Sequence, residues 1–247
     1  MLVAGLSHQG LERPRNEDSF LIRREGEYTL MAVADGMGGH QAGDVASARA
    51  IAVLDDHWSA LVRQGFPADN SRLEEIVQNI MQEANRVILE DSTRDSTKYG
   101  MGTTLTMGLL AGCHLIIGHV GDSRSYLIAG QTISLLTEDH SLVEELVRQG
   151  DVSPEEAQDH PQRHILTRAL GTNRALQVDL VERLLPPGSM LLLCTDGLTT
   201  LVQDHEILNI VLTEETPDQA VEALIDLANA RGGFDNITVV LAAEIGR

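Results

Sequence analysis

Three aspartates occupy comparable positions in this chain. Asp35 closes the apolar run 30–34 and is followed by Gly36-Met37-Gly38-Gly39-His40. Asp196 closes Leu191-Leu192-Leu193-Cys194-Thr195 and is followed by Gly197. Asp235 follows Gly232-Gly233-Phe234 and precedes Asn236. A single Asp-Gly is ordinarily a hairpin turn. Here Asp35-Gly36 and Asp196-Gly197 are expected to lead into loops and helices instead of a partner strand. Each also follows a run apolar enough to emerge from a core. Carboxylates carried at strand ends beside glycines are placed to converge. With no histidine pair and no thiolate motif, an oxygen-only site selects Mg²⁺, Mn²⁺ or Ca²⁺ over Zn²⁺ or Cu²⁺. The Gly36 carbonyl, with no side chain to block approach, is a further candidate donor. Cations held this way could hydrolyse a phosphate ester.

Other catalytic motifs are excluded. Gly36-Met37-Gly38-Gly39 lacks the Lys-Ser/Thr ending of a phosphate-binding P-loop, EF-hand spacing is missing, and no Gly-x-Ser-x-Gly elbow occurs.

The elements that must carry these residues can be read in order. Residues 2–7 suit a short first strand, and the polar stretch 10–17, with Gly10 and Pro14, forms a loop bearing Arg13, Glu17 and Asp18. Strands are expected at 19–24 and 28–34, joined as a hairpin through Glu25-Gly26-Glu27. Apolar residues at helical spacing mark a helix over 44–64. Ser71-x-x-Glu74 reads as a capping box opening a second helix, with a stripe from Leu73 to Ile88 and a loop over 92–100. Strands follow at 103–110, 114–120, 124–129 and 132–136, with connections so short that neighbours are expected to pair antiparallel. Ser141-x-x-Glu144 caps a helix ending at Gly150, and Pro154 opens another. Residues 178–184 and 190–194 are expected to pair with each other. Helices at 204–212 and from Thr216 to Gly232, then a strand over 237–243, complete the chain. Runs apolar at nearly every position imply strands covered on both faces. The expected class is α+β, with two packed, mostly antiparallel sheets flanked by helices.

No linker, repeat or low-complexity tract divides the 247 residues, so one domain over 1–247 is expected. Hydrophobic residues make up 43% and aromatics only 3%, which predicts an aliphatic core. The net charge of -19 argues against a nucleic-acid or anionic-membrane surface. Cys113 and Cys194 lie far apart within apolar runs and read as two buried thiols, not a disulfide. There is no signal-peptide pattern and no apolar run of roughly 20 residues, so a soluble, cytoplasmic chain is expected.

Seven motifs occur in a fixed order: Arg13-Pro-Arg-Asn-Glu17-Asp18, Asp35-Gly-Met-Gly-Gly-His40, Gly102-Thr103-Thr104, Gly121-Asp122-Ser-Arg124, Asp139-His140-Ser141, Asp196-Gly197-Leu198 and Gly233-Phe-Asp235-Asn236-Ile-Thr238. Over nearly the whole chain this pattern resembles the metal-dependent Ser/Thr protein phosphatases of the PP2C (PPM) family, in their compact bacterial form without a membrane tail. The resemblance implies an α-β-β-α sandwich. It implies two Mn²⁺ or Mg²⁺ ions bridged by Asp35, the first also bound by the Gly36 carbonyl, the second by Asp196 and Asp235. Glu17 and Asp18 would mostly hold metal-bound waters, with Asp18 counted among the metal and catalytic residues. A third, weaker metal would use Asp122 with Asp196, and the flap position His164 can contribute there in some members.

The implied reaction is in-line attack on phosphorus by a metal-bridging hydroxide, with no phosphoenzyme. Arg13 would grip the phosphate bidentately, the family's spacing to Asp18 selecting it over Arg15. His40 would protonate the leaving serine or threonine alkoxide. His119, inside an apolar strand, reads as structural. Implied partners are phosphorylated protein substrates and a cognate Ser/Thr kinase, with no nucleic acid and no membrane, for a chain acting as a monomer. Substrate choice is assigned to a flap at about 145–175. A catalytically dead binding module and a hydrolase of small phosphoesters are the competing readings.

Overall fold

The computed structural model describes residues 1–246 apart from 38–41, 68, 154–155 and 158–159. The expected helix opening at Pro154 therefore lies outside the described residues, although Ser153 and Glu156 on either side exchange reciprocal capping bonds.

Two antiparallel sheets stack face to face. The first has the order β1-β11-β10-β7-β8, from strands β1 (Leu2–His8), β7 (Arg124–Ala129), β8 (Thr132–Leu135), β10 (Ser189–Cys194) and β11 (Ile237–Ile245). The second has the order β2-β3-β5-β6-β9, from β2 (Asp18–Glu25), β3 (Tyr28–Met37), β5 (Leu105–Ala111), β6 (His114–Val120) and β9 (Asp179–Leu184). A two-residue strand, β4 (Gly102–Thr103), extends the second sheet beside the end of β3. Helices α1 (Gly43–Gln64) and α2 (Leu73–Arg94) cover the second sheet; α5 (Asp204–Thr213) and α6 (Pro217–Ala230) cover the first. Between them in sequence come α3 (Leu142–Gln149) and the single turn α4 (Asp196–Thr199).

Strand alternation explains why runs apolar at every position were needed. On β3, Leu30, Ala32 and Ala34 face the α1–α2 layer, while Met31 and Val33 face the other sheet. On β10, Leu192 and Cys194 face α5 and α6, while Leu191 and Leu193 meet Met31, Val33, Val240 and Ala242 between the sheets. Each fully buried Leu, Val or Met side chain here contributes about 1.5–3 kcal/mol. The inter-sheet layer also fixes the distance between the two strand sets that end at the cleft described below.

Several expectations need correction. The turn Gly121–Ser123 does not join antiparallel neighbours: β6 belongs to the second sheet and β7 to the first, so three residues step across the sandwich. Gly121 makes the step with φ +115, and a Cβ there would stand 2.5 Å from the Thr104 side chain. Likewise β9 pairs with β6 and β10 with β7 and β11, not with each other. Their connection is anchored on both sheets, through Leu185 N–H to the Cys113 carbonyl and Gly188 N–H to the Ile245 carbonyl. Asp35-Gly36 does run on into a partner strand, since Gly36 pairs with Thr103 and Met37 with Gly102. Ser71 does not cap α2; its N–H is itself taken by the Asp69 side chain at 2.9 Å, in a 3₁₀ turn before the helix. The α2 helix also continues to Arg94, into the segment expected to be loop. Cys113 is half-buried, Cys194 is buried, and both are free. The caps of α3 by Ser141 and of α6 by Thr216 are as expected.

The sheet-crossing turn yields a test. Gly121→Ala places a side chain at positive φ against Thr104 and should cost about 1–3 kcal/mol, read as a lower denaturation midpoint in urea. An unchanged midpoint would show that the turn tolerates a Cβ.

Candidate active site

The cleft lies at the end of the sandwich where the apolar inter-sheet layer gives way to carboxylates. On β2 the inter-sheet positions run Ile22, Phe20, Asp18; on β3 they run Met31, Val33, Asp35. Asp18 and Asp35 are direct cross-strand partners. Two like charges in that relation repel. From the opposite sheet, β10 delivers Asp196 through Thr195, and Asp235 precedes β11. The Gly121–Ser123 turn adds Asp122. A cavity of about 1240 Å³ includes Arg13, Arg15, Asp35, Asp122, His164, Asp196 and Asp235 in its lining.

Backbone bonding holds this arrangement. The Asp35 carbonyl accepts from Thr104 N–H at 2.9 Å and from Thr103 Oγ1 at 2.8 Å. The Asp35 N–H donates to Thr104 Oγ1 at 2.9 Å, and that hydroxyl pairs with Ser123 Oγ at 2.8 Å. The Gly102-Thr103-Thr104 motif thus clamps Asp35 and ties it to the turn carrying Asp122. Gly36 is required for a different reason than the expected open approach. A Cβ there would strike the carbonyl oxygens of Gly43 and Glu17.

The electrostatics are those of crowded acids. Burial first, then repulsion from Asp196 and Asp235, pushes Asp18 up to about 7, against the pull of Thr238 and Thr195. Asp35 is raised well above the carboxylate range by burial and then by Asp18, Asp196 and Asp122. Asp122 and Asp196 are raised too, burial leading in each. Asp18 Oδ2 accepts from Thr195 Oγ1 at 2.8 Å and Thr238 Oγ1 at 2.6 Å, whereas its Oδ1 has no partner. Asp196 Oδ1 is similarly buried without a partner. Orphaned carboxyl oxygens in a crowded acidic group are what a hard cation satisfies, so the donor set fits Mg²⁺ or Mn²⁺. Even so, no three His, Cys, Asp or Glu side chains among the described residues close around one point as they stand. One reason is visible: Asp235 Oδ2 is taken by Arg13 Nη2 at 2.7 Å.

The expected residues therefore divide. Asp18, Asp35, Asp122, Asp196 and Asp235 come together, and Gly36 adjoins them. Arg13 reaches the cluster but pairs with Asp235. Arg15 and Glu17 line the cavity, with Glu17 raised by burial and then by Asp44. His40 lies outside the described residues. His119 is buried and bonded to Thr106 and the Glu138 carbonyl, as a structural residue should be.

Sequence reading missed Asn236. Its Oδ1 accepts from Glu17 N–H at 2.8 Å, and its Nδ2 donates to the carbonyls of Gln9 and Arg15 at 2.8 and 2.9 Å. That one side chain ties together both ends of the 9–17 loop on which Arg13 sits. Its only signal was its place beside Asp235. Thr195 and Thr238 were also missed as the donors that hold Asp18.

Fold and site together define a two-sheet sandwich with an acidic cleft fit for hard cations and an arginine at its mouth. The sequence profile of protein phosphatase 2C matches residues 4–239. The serine/threonine phosphatase Stp of Listeria monocytogenes (serotype 4b, strain F2365) is 40% identical, covering 94% of this chain and 92% of its own. The phosphatase PhpP of Streptococcus pneumoniae (strain D39) is 37% identical over 98% of this chain and 97% of its own. The crystal structure of the Mycobacterium tuberculosis serine/threonine phosphatase PstP/Ppp superposes with TM-score 0.87 at 37% identity, covering 98% and 97% of the two chains. A PstP catalytic domain with two manganese ions gives TM-score 0.84 at 36% identity, covering 98% of this chain and 97% of its own. The chain belongs to the protein phosphatase 2C family.

The crowded acids predict a pH dependence without reference to turnover. A carboxyl held high in the fold favours its neutral form there. The resulting stability is present below the ordinary carboxylate range and is lost as pH rises through about 7, the Asp18 value. Cation-free protein should therefore lose thermal stability between about pH 4 and pH 7 and level off above that. Mn²⁺ at roughly a hundred times its Kd should return about 2.7 kcal/mol, some 5–10 °C in Tm. A Tm indifferent to Mn²⁺ at pH 8 would count against a cation site.

Proposed function

We propose that the chain is one catalytic domain, residues 1–247, hydrolysing phosphoserine and phosphothreonine in proteins and opposing a Ser/Thr kinase. The observation carrying this reading is the pair of orphaned oxygens, Asp18 Oδ1 and Asp196 Oδ1, in an acidic cluster with an arginine at its edge. Asp35, the Gly36 carbonyl, Asp196 and Asp235 would hold two Mn²⁺ or Mg²⁺ ions, and Asp122 with Asp196 a third. Bound there, such ions lower the pKa of water and screen charge on the phosphate. The manganese-bound relative supports the choice of metal.

The chain's own residues supply the rest. Asp18, steadied by two threonine donors, is an acceptor at the cluster's floor and can orient a proton-bearing group. A phosphate dianion is a better bidentate partner for Arg13 than Asp235. Substrate entry thus releases Asp235 Oδ2 to the cluster as Arg13 turns to the phosphate. The alkoxide leaving from serine or threonine needs a proton, and His40, three residues beyond Met37, is the candidate acid. A cleft whose lining includes Arg163, His164, Leu166 and Phe234 suits a peptide. Among the described residues no helix is long and apolar enough to cross a membrane. We take the acting form to be a monomer.

Phosphate release from a phosphothreonine peptide should require Mn²⁺ or Mg²⁺ and cease with chelator. Asp35→Ala and Asp196→Ala should each abolish it. Metal-independent release, or normal turnover in either variant, would defeat the reading. Release from small esters alone would favour a phosphoester hydrolase, and no release at all a binding module.

His40→Ala should slow phosphopeptides by about 10²–10⁴, as loss of a general acid does, and aryl phosphates much less, since a phenolate leaves unaided. Equal losses on both substrates would remove His40 from that role.

A further inference from the structure

The Asp139-His140-Ser141 triplet has no part in the chemistry above, yet His140 is 2% exposed and fully engaged. Its Nδ1 accepts from Gly121 N–H at 3.1 Å, and its Nε2 lies 3.0 Å from Asp179 Oδ2. Its backbone N–H donates to the Gly121 carbonyl at 2.7 Å, and its carbonyl accepts from Thr167 N–H at 2.8 Å. Nδ1 must be bare to accept, so the ring proton sits on Nε2 and points at Asp179. Asp179 Oδ1 accepts in turn from Arg168 Nη1 at 2.6 Å. Burial pushes the imidazole below its ordinary value, which keeps Nδ1 bare near neutrality.

The two segments joined here both belong to the cleft. Gly121 precedes Asp122. Thr167 and Arg168 continue from Arg163, His164 and Leu166 in the cleft wall. The neighbouring backbone repeats the connection, with Ser141 bridging Leu166 and Leu142 N–H donating to the Ile165 carbonyl at 2.8 Å. Farther along, Leu170 pairs with Thr103, whose hydroxyl bonds the Asp35 carbonyl. The wall is thus fastened to the Asp35 clamp at one end and to the Asp122 turn, through His140, at the other.

We infer that His140 is a positioning residue, a clasp that sets the Gly121–Ser123 turn and the 163–168 wall in one register and so fixes where Asp122 stands relative to bound substrate. It touches neither substrate nor reacting atoms. Its effect on catalysis rests on the phosphatase reading; the clasp itself does not.

Two substitutions separate its arms. His140→Asn puts an amide oxygen where Nδ1 lies, keeping Gly121 and dropping Asp179. His140→Gln puts an amide nitrogen where Nε2 lies, keeping Asp179 and dropping Gly121. In protein without added metal, His140→Gln should speed hydrogen exchange of the Gly121 amide at least about tenfold, with 165–168 little changed. His140→Asn should do the reverse. Nitrogen NMR of the parent should show the Nε2-protonated tautomer. With Mn²⁺, His140→Asn should raise the phosphopeptide KM about tenfold with a smaller change in kcat. His140→Gln should instead raise the Mn²⁺ concentration for half activity by a similar factor.

An Nδ1-protonated ring, or exchange rising equally in both segments with both variants, would overturn the clasp, as would no change in either. Should both variants fail to fold, Arg168→Gln tests the wall arm alone, and parent-like exchange at 165–168 with a parent-like KM would overturn it. Expected exchange patterns in a chain without phosphatase activity would sink the proposed function and leave the clasp standing.

Discussion

Everything at the cleft follows from one unfavourable contact: Asp18 and Asp35 face each other across adjacent antiparallel strands, on the side of the sheet otherwise reserved for the apolar layer. Water is largely displaced there, so repulsion is strong and neutral carboxyls are favoured. The surroundings read as compensation. Thr195 and Thr238 reach across from the other sheet to donate to Asp18. Thr103 and Thr104 fix the Asp35 backbone, and with it the face of the sheet from which its side chain emerges. Arg13 takes part of the charge at the rim through Asp235. What remains unpaired is a negative field confined to one mouth of the sandwich, and a polyvalent cation is the simplest agent that relieves it.

How much of this could be read from residues alone varies with how local the physics is. Apolar runs on β3, β5, β6, β10 and β11 announced strands covered on both faces, because alternating burial was missing from them. The caps of α3 and α6 were legible, since a Ser or Thr hydroxyl three residues before its target N–H is a short-range signal. Asp35 and Asp196 stood out by ending apolar runs. Sheet membership was not legible. A three-residue connection suits a hairpin and a step between layers equally well, and which one it makes is settled by the long-range pairing of β6 with β5 and β9 and of β7 with β8 and β10. Ser71 failed as a cap because Asp69, two residues earlier, competes for its N–H.

The site shows the same division. That Asp35, Asp196 and Asp235 converge was readable from the residues themselves, Asp18 and Asp122 came only with the family pattern, and what holds them was not legible. Asn236 bonds three backbone groups more than two hundred residues away in sequence. The threonines on Asp18 come from the residue just past β10 and from β11. Such bonds leave no periodic trace. The family pattern could name Arg13 as a phosphate ligand, but not its engagement with Asp235, which depends on the neighbours that share its charge.

The aliphatic layer of Met31, Val33, Leu191, Leu193, Val240 and Ala242 acts as a spacer gauge. Its thickness sets the gap between the acids carried by one sheet, Asp18 and Asp35, and those arriving from the other, Asp196 and Asp235. A methylene added or removed there, far from any reacting atom, would open or narrow the jaws of the site. The core of this sandwich therefore tunes the bite of its chemistry, and a change in this layer that leaves stability intact can still alter which cation fits.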